Sequence, residues 1–325
     1  MDNKDSKQIM VGMVNAGKTT YLAALFHVAE TAEVPGSLQL VKLEENREYV
    51  INKRNEWLGC KPFERTKVGK EQLIRMVLKH PDSSEEINLS VPDLSGETFR
   101  DQWELRRTTK LADDLLQSAD GILLFLHPAT TNRSTQINEM LAVASVLDGV
   151  LDEEATSQDL PDAIDQPITS DQVTTTIIDK SNGTEPSQKP EKWHASTASM
   201  QVKTVEILQF LLREPELYRF SRVAVVISAW DLCKERYSTP SQWLLARMPL
   251  LSQFLTANED RLAFKLFGIS AQGGQHGKDE ATMHAVSLPS ERIQIVTDRP
   301  NEFGLHDITA PLKWLIDQGS SQNAS

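Results

Sequence analysis

The amino-acid sequence predicts an α/β fold, a three-layer sandwich whose mainly parallel sheet carries an antiparallel strand and helices on both faces. Three observations point there. Strand-like and helix-like segments alternate through most of the 325 residues, the pattern of a parallel-rich sheet. Two unbroken apolar runs, GILLFL at 121–126 and VAVVI at 223–227, suit central strands covered on both sides. Near the N-terminus a short apolar run, a glycine-containing loop and a helix-period segment follow in that order.

Each element can be justified in turn. Lys7 to Val11 (KQIMV) reads as a buried strand, and Tyr21 to Ala29 as a helix with Leu22, Leu25, Phe26 and Ala29 on one face. Residues 35–69 are mixed and poorly periodic, with Pro35, Gly36, Gly59 and Pro62 as breakers, so a long mobile region is expected. Gln72 to Leu78 and Ile87 to Val91 are strand-like, and the turn-rich His80 to Glu86 between them makes them antiparallel neighbours. Residues 100–118 read as helical, and GILLFL follows as a central strand.

Helix-period residues resume at Ile137, Met140, Leu141, Ala144 and Leu147. From Asp152 to Glu191 the chain is acidic, polar and free of aromatic residues; it offers too little apolar surface to offset ordering entropy. The whole chain, 1–325, therefore reads as one domain interrupted by a disordered acidic insertion at 152–191. Within it the β-branched run VTTTII at 173–178 suits a strand formed on a partner. Helical patterning returns at Val202, Val205, Leu208, Phe210 and Leu211. VAVVI follows as a strand, then a helix from Ser241 to Ala257, the strand FKLFGI at 264–269 and an edge strand at 293–296. In the closing segment Asp307 to Asp317, Thr309 is a cap, Pro311 falls in the first turn, and Leu312, Leu315 and Ile316 face inward.

Composition narrows the class. Lys plus Arg is 34 and Asp plus Glu is 46, for a formal charge of -12, which argues against nucleic acid or an anionic membrane as the main partner. The two cysteines, Cys60 and Cys233, are far apart and lack metal-ligand spacing, so neither a disulfide framework nor a zinc site is indicated. No apolar run is long enough for a membrane span, and MDNKDSKQ lacks a secretory pattern. A cytoplasmic location is expected.

The stretch GMVNAGKTT at 12–20 matches G-x-x-x-x-G-K-[ST], the phosphate-binding loop. Gly12 and Gly17 let the backbone curl so that several N–H groups point into one bowl. Lys18 adds a point charge, the Thr19 hydroxyl is placed to ligate Mg²⁺, and the helix that starts here aims its positive end at the phosphates. Asn15, Ala16, Gly17, Lys18, Thr19 and Thr20 are the expected phosphate-binding set. At 93–96 the chain leaves a strand through Asp-Leu-Ser-Gly: Asp93 can reach the Mg²⁺ shell, and the Gly96 N–H can sense a γ-phosphate. The apolar strand at 223–227 runs into Ser228-Ala229-Trp230-Asp231. A carboxylate accepts from both N1–H and the exocyclic amino group of guanine, a donor pair adenine lacks. Asp231 is either that base reader or a helix N-cap. Ser270-Ala271, after FKLFGI, would present a backbone N–H to the guanine oxygen.

Taken together, GMVNAGKT at 12–19, DLSG at 93–96, SAWD at 228–231 and SA at 270–271 resemble the ordered motifs of a P-loop GTPase of the translation-factor/Ras-like class. With GISAQGG at 268–274 and the closing ITAPLKWLI, the chain also resembles a bacterial double-GTPase-like group associated with conflict and defence gene clusters. The resemblance implies a P-loop NTPase sandwich that binds GTP and GDP and hydrolyses GTP with Mg²⁺, as a molecular switch for a protein effector or activating partner. It implies that Lys18 holds the β- and γ-phosphates, that Thr19 and Asp93 organise Mg²⁺, that Gly96 reads the γ-phosphate and that Asp231 selects guanine. The threonine that closes over Mg²⁺ in the GTP state would be Thr66, though an ordinary loop threonine fits as well.

Several residues depart from that pattern. Glu97 stands where many relatives have a water-orienting glutamine, and a carboxylate beside a triphosphate is repelled, so slow intrinsic hydrolysis is expected. Ser228 and Ala229 replace the usual Asn or Thr and Lys, which leaves Trp230 to stack on the base. Asn15 either suits the turn or helps hold a potassium ion. His127 follows GILLFL and reads as a strand-end cap. Arg100, Arg106 and Arg107 read as a solvated helix face or an arginine finger in cis. Three rivals stay open: a GTP-binding scaffold that does not turn over, an ATP-using P-loop enzyme, and a partner-binding module with a vestigial loop.

Overall fold

The computed structural model describes residues 4–63, 72–82, 86–93, 96–107, 109–131, 194–212 and 221–316. The chain divides into two compact units, residues 1–134 with 195–325 and residues 135–194. Apart from His194, the described residues belong to the first. The helix expected at 137–147, the insertion 152–191 and the run 173–178 lie outside them.

The described strands form one eight-stranded sheet in the order β2-β3-β4-β1-β5-β6-β7-β8. They are β1 (Lys4–Val11), β2 (Gln39–Leu43), β3 (Gln72–Lys79), β4 (Glu86–Asp93), β5 (Gly121–Leu126), β6 (Arg222–Ser228), β7 (Ala263–Ser270) and β8 (Gln294–Val296). Strand β1 pairs in parallel with β4 and β5, and β5-β6-β7 continue in parallel. Strand β3 runs against both β2 and β4, and β8 runs against β7. The expected hairpin and the expected edge strand are both present, and antiparallel pairing occurs at both margins of the sheet.

Alternation along the central strands divides the core into two layers. Met10, Leu123, Phe125, Ala224 and Val226 face one cluster; Ile9, Val11, Ile122, Leu124, Val223, Val225 and Ile227 face the other. This period of two is what a strand buried on both sides requires. The first layer is covered by α1 (Lys18–Thr31), α2 (Arg47–Leu58) and α9 (Ala310–Ile316). The second is covered by α3 (Gly96–Leu105), α4 (Lys110–Gln117), α5 (Met200–Leu211), α6 (Pro240–Arg247) and α7 (Pro249–Ala257). A short helix α8 (Glu280–His284) lies between β7 and β8. The result is a three-layer sandwich with helices on both faces. In α1 every residue from Tyr21 to Ala29 is buried, a wider face than the four predicted positions. In α9 Leu312, Leu315 and Ile316 are buried as expected.

Three expectations need correction. Residues 39–58, within the region expected to be mobile, form β2 and α2. Helix α2 buries only Val50 and Trp57 among twelve residues, too few to mark a period, yet Trp57 is fully enclosed. The helix expected at 100–118 is two, broken where Arg106 takes φ 53°; Thr109 starts the second by accepting from the Ala112 N–H at 3.2 Å. The single helix expected from Ser241 to Ala257 breaks at Met248, because Pro249 has no N–H to continue the ladder and begins α7 instead.

Candidate functional site

The chain leaves β1 at Val11 and turns through a loop that only glycines allow. A Cβ on Gly12 would lie 2.9 Å from the Phe125 carbonyl oxygen on β5, and one on Gly17 would lie 2.9 Å from Ser228 Cβ. Asn15 (φ 62°) and Gly17 (φ 88°) both take left-handed backbone, and the Ala16 N–H donates to Met13 O at 3.2 Å. Gly17 then caps α1, where its carbonyl accepts from the Tyr21 N–H at 3.0 Å. The first-turn N–H groups of α1 have no intrahelical acceptors. They are free of a capping side chain at Gly17, so this helix end presents donors and a positive dipole to an anion.

Lys18 curls back over the loop. Its ammonium, on a residue 7% exposed, donates to Gly12 O at 2.6 Å and Met13 O at 3.1 Å and lies 5.8 Å from the centre of the Phe99 ring. Carbonyl dipoles thus solvate a charge that burial would otherwise penalise. Phe99, buried on α3, ties this lysine to the helix that begins at Gly96. Asp93 ends β4 three residues after Ser90, the partner of Lys7 on β1; the carboxyl ends of β4 and β1 therefore lie side by side.

Two further strand ends meet on the other side of the loop. Ser228, at the end of β6, donates from Oγ to Leu126 O at 3.0 Å and fastens β6 to β5 beneath Gly17. Ala229 (φ 47°) turns the chain, and the Asp231 carboxylate accepts from the Ser270 hydroxyl at 2.6 Å. The predicted base reader and the predicted guanine-oxygen loop are thereby joined, although 39 residues separate them. His127, at the end of β5, accepts the Ala129 N–H on Nδ1 at 3.1 Å. Burial holds its pKa below the usual imidazole value, against the opposing pull of Asp231. It acts as the strand-end cap that its sequence position suggests.

The carboxyl ends of β1, β4, β5, β6 and β7 therefore lie along one edge of the sheet, the edge at which parallel α/β sheets bind ligands. The sequence profile of the Double-GTPase 1 family matches residues 9–315, a span that includes the glycine loop, Asp93, Asp231 and Ser270-Ala271. The chain belongs to the Double-GTPase 1 family. Its fold is that of a P-loop GTPase. No curated protein matches it. Solved structures similar to it include the Arl6 BBS3 small GTPase of Trypanosoma brucei with bound GppNp. The two share 11% identity at a TM-score of 0.30, over 86% of this chain and 94% of that one. The S. cerevisiae Ski7 GTPase-like domain, bound to GDP and inorganic phosphate, is 10% identical at a TM-score of 0.41, over 99% of this chain and 51% of that one. A bacterial selenocysteine-specific elongation factor is 12% identical at a TM-score of 0.32, over 86% of this chain and 27% of that one. The Double-GTPase 1 chain thus spans about half or less of the two longer relatives.

Not every predicted residue of this family member reaches this edge of the sheet. Trp230, expected to stack on the base, is 1% exposed and lies against Gly268, where a Cβ would come within 2.5 Å of its ring. Large and apolar, it goes into the core beside β7. Thr66 lies outside the described residues. Glu97 falls in the first turn of α3. Arg100, on α3, is paired with Asp101 at 3.1 Å; Arg106 lies in the break after α3, paired with Glu206 and 5.0 Å from the centre of the Trp103 ring, so it is not on the helix face expected for it. Sequence reasoning missed Trp57 and Arg292, which enclose the Ser270-Ala271 loop from behind. A lone tryptophan in an aperiodic stretch was the available signal. Among the described residues, no helix is long and apolar enough to cross a membrane.

Proposed function

We propose that the protein binds GTP with Mg²⁺ and hydrolyses it to GDP and phosphate, serving as a nucleotide-dependent switch for a protein partner. The hydrogen bond between Ser270 and Asp231 carries this reading, because it fixes the carboxylate that follows β6 against the end of β7, on the sheet edge from which the glycine loop also leaves β1. A carboxylate held there favours a base with adjacent N–H and amino donors, which is guanine.

The chain's own groups divide the work. The N–H groups of residues 15–20 and the dipole of α1 would bind the phosphates, and Lys18 would exchange a carbonyl contact for a phosphate oxygen. Thr19 and Asp93 would supply the hydroxyl and the carboxylate that hold the metal. Among the described residues no cluster of three or more His, Cys, Asp or Glu side chains offers an alternative metal site. Hard oxygen donors in so small a number suit Mg²⁺, which completes its shell with phosphate and water. When bound there it would offset charge on the β- and γ-phosphates. Gly96, opening α3, would sense the γ-phosphate through its N–H. Water would attack that phosphate in line, with catalysis by positioning and charge stabilisation. Glu97 supplies no glutamine-like donor, so an activating partner would provide what is missing.

A second reading follows from Glu97 as well: a GTP-binding scaffold with little or no turnover. The test is competition of fluorescent GDP by GDP, ADP and XDP on wild-type and Asp231→Asn protein, followed by single-turnover hydrolysis. Displacement by GDP alone, with the variant moving towards XDP, supports guanine reading. Equal competition by ADP overturns it. Phosphate release within one turnover separates the enzyme from the scaffold.

A further inference from the structure

The loop at Ser270–Gly273 is held by residues that belong to no nucleotide motif. The indole Nε1–H of Trp57, on a side chain with no exposure, donates to Ala271 O at 2.9 Å. The Trp57 carbonyl accepts in turn from Arg292 Nη2 at 3.2 Å and from Gln272 Nε2 at 3.4 Å. The Arg292 guanidinium stacks 4.3 Å from the centre of the Trp57 ring and also donates to Cys60 Sγ. Behind Gly273 (φ 84°) there is no room, since a Cβ there would lie 2.6 Å from Arg292 O. The loop is thus clamped between the end of α2 and the segment that enters β8.

We propose that Trp57 is a positioning residue for guanine recognition, acting through the Ala271–Gln272 peptide. This rests on the reading of Asp231 and the Ser270-Ala271 loop as the base site. A planar trans peptide points its carbonyl and its N–H in opposite directions. With the Ala271 carbonyl drawn towards Trp57, the Gln272 N–H of the same peptide faces away from the core, and a rotation that lost this aim would break a buried hydrogen bond. Stacked Arg292 prevents the indole from leaving. The tryptophan therefore orders a backbone donor for the guanine O6 oxygen without touching the nucleotide.

The experiment compares a ligand that carries that oxygen with two that lack it. Because 2-aminopurine also lacks the N1–H that Asp231 would read, each ligand's loss in a Trp57 variant is taken relative to its own wild-type affinity. Binding of GDP, of the 2-aminopurine riboside diphosphate lacking O6, and of tripolyphosphate is measured on wild type and on Trp57→Phe. A second variant carries benzothienylalanine at position 57, an isostere of tryptophan without the N–H. The expected result is that GDP affinity falls about tenfold in both variants, the effect of one lost hydrogen bond in an ordered site, while the other two ligands bind as before. Parallel losses for all three ligands would make Trp57 structural only and overturn the proposal, as would unchanged GDP affinity in the isostere. If wild type binds ADP as well as GDP, the guanine reading itself fails and the proposal falls with it. If wild type selects GDP and Asp231→Asn shifts towards XDP while both Trp57 variants match wild type, only the positioning role is lost.

Discussion

The Asp231 carboxylate accepts a 2.6 Å hydrogen bond from the Ser270 hydroxyl, and this bond joins the ends of two neighbouring parallel strands. Ser270 is 1% exposed and Asp231 half-buried, so the bond is anchored from the Ser270 side. Asp231 keeps a second oxygen for a ligand. Charge-assisted bonds of this kind contribute about 1.5–3 kcal/mol. Ser270→Ala should therefore leave the fold in place and raise the Kd for GDP about tenfold, with XDP affected less. Calorimetric titration of both nucleotides on the two proteins checks this; an equal loss for GDP and XDP would point to general loosening.

Gly17 and Ser228 make a second testable pair. Left-handed backbone costs a residue with a Cβ about 1–2 kcal/mol, and the added carbon would meet Ser228 as well. Gly17→Ala should lower both thermal stability and nucleotide affinity. Adding Ser228→Gly should restore the steric part of the loss and leave the backbone part. Tm values for the two single variants and the double variant, measured without nucleotide, give the coupling. Full additivity would mean that the two residues do not touch.

Much of this was legible in the sequence, and the exceptions have physical causes. The strands at 121–126 and 223–227 announced themselves because burial on both faces leaves no polar position. The glycine loop was legible because its backbone tolerates few substitutes. Trp230 misled because an aromatic residue beside a strand end suits a stacking site and a core position equally; the room left by Gly268 on the neighbouring strand β7 decides between them. Helix α2 was hidden because its packing rests on Val50 and Trp57, and the clamp on Ala271 because it joins residues 214 apart.

Glu97 predicts slow chemistry. A carboxylate cannot donate to the attacking water's neighbours as an amide does, and it repels the phosphate charge. Glu97→Gln should speed single-turnover GTP hydrolysis on the order of tenfold, with GDP affinity unchanged. Quenched-flow phosphate release provides the measurement, and an unchanged or slower rate would show that Glu97 has another role in the reaction.

Stability should fall on the acid side of neutrality. His27 Nε2 lies 2.6 Å from Glu33 Oε1. Burial lowers the His27 pKa below its usual value of about 6.5, more than Glu33 raises it, with Arg54 and Arg292 adding to the lowering. Burial acts to raise the Glu33 pKa, but hydrogen bonds from Ser290 and Thr31 and the His27 charge leave it below the ordinary range. The folded state thus binds fewer protons than the unfolded chain at both groups. Stability is fully present above about pH 6.5 and declines as pH falls through the His27 and then the Glu33 range. Urea unfolding from pH 7.5 to about 4.5 should show the decline. His27→Gln should flatten its upper part, and an unaltered slope would assign the decline to other groups.

Asn15 poses the last test. Its φ of 62° places it in the left-handed region, which asparagine tolerates better than other residues with a side chain, and that alone accounts for its presence in the loop. A potassium site would demand more: the ion would have to offset charge between the β- and γ-phosphates, so hydrolysis would depend on a cation of its size. At equal ionic strength, rates in K⁺ and Na⁺ should be the same if the turn is the whole reason for Asn15. Asn15→Gly should then bind and hydrolyse GTP nearly as wild type does, since glycine takes this backbone at no steric cost. A rate that rises in K⁺ and loses that rise in Asn15→Gly would assign the residue to the ion.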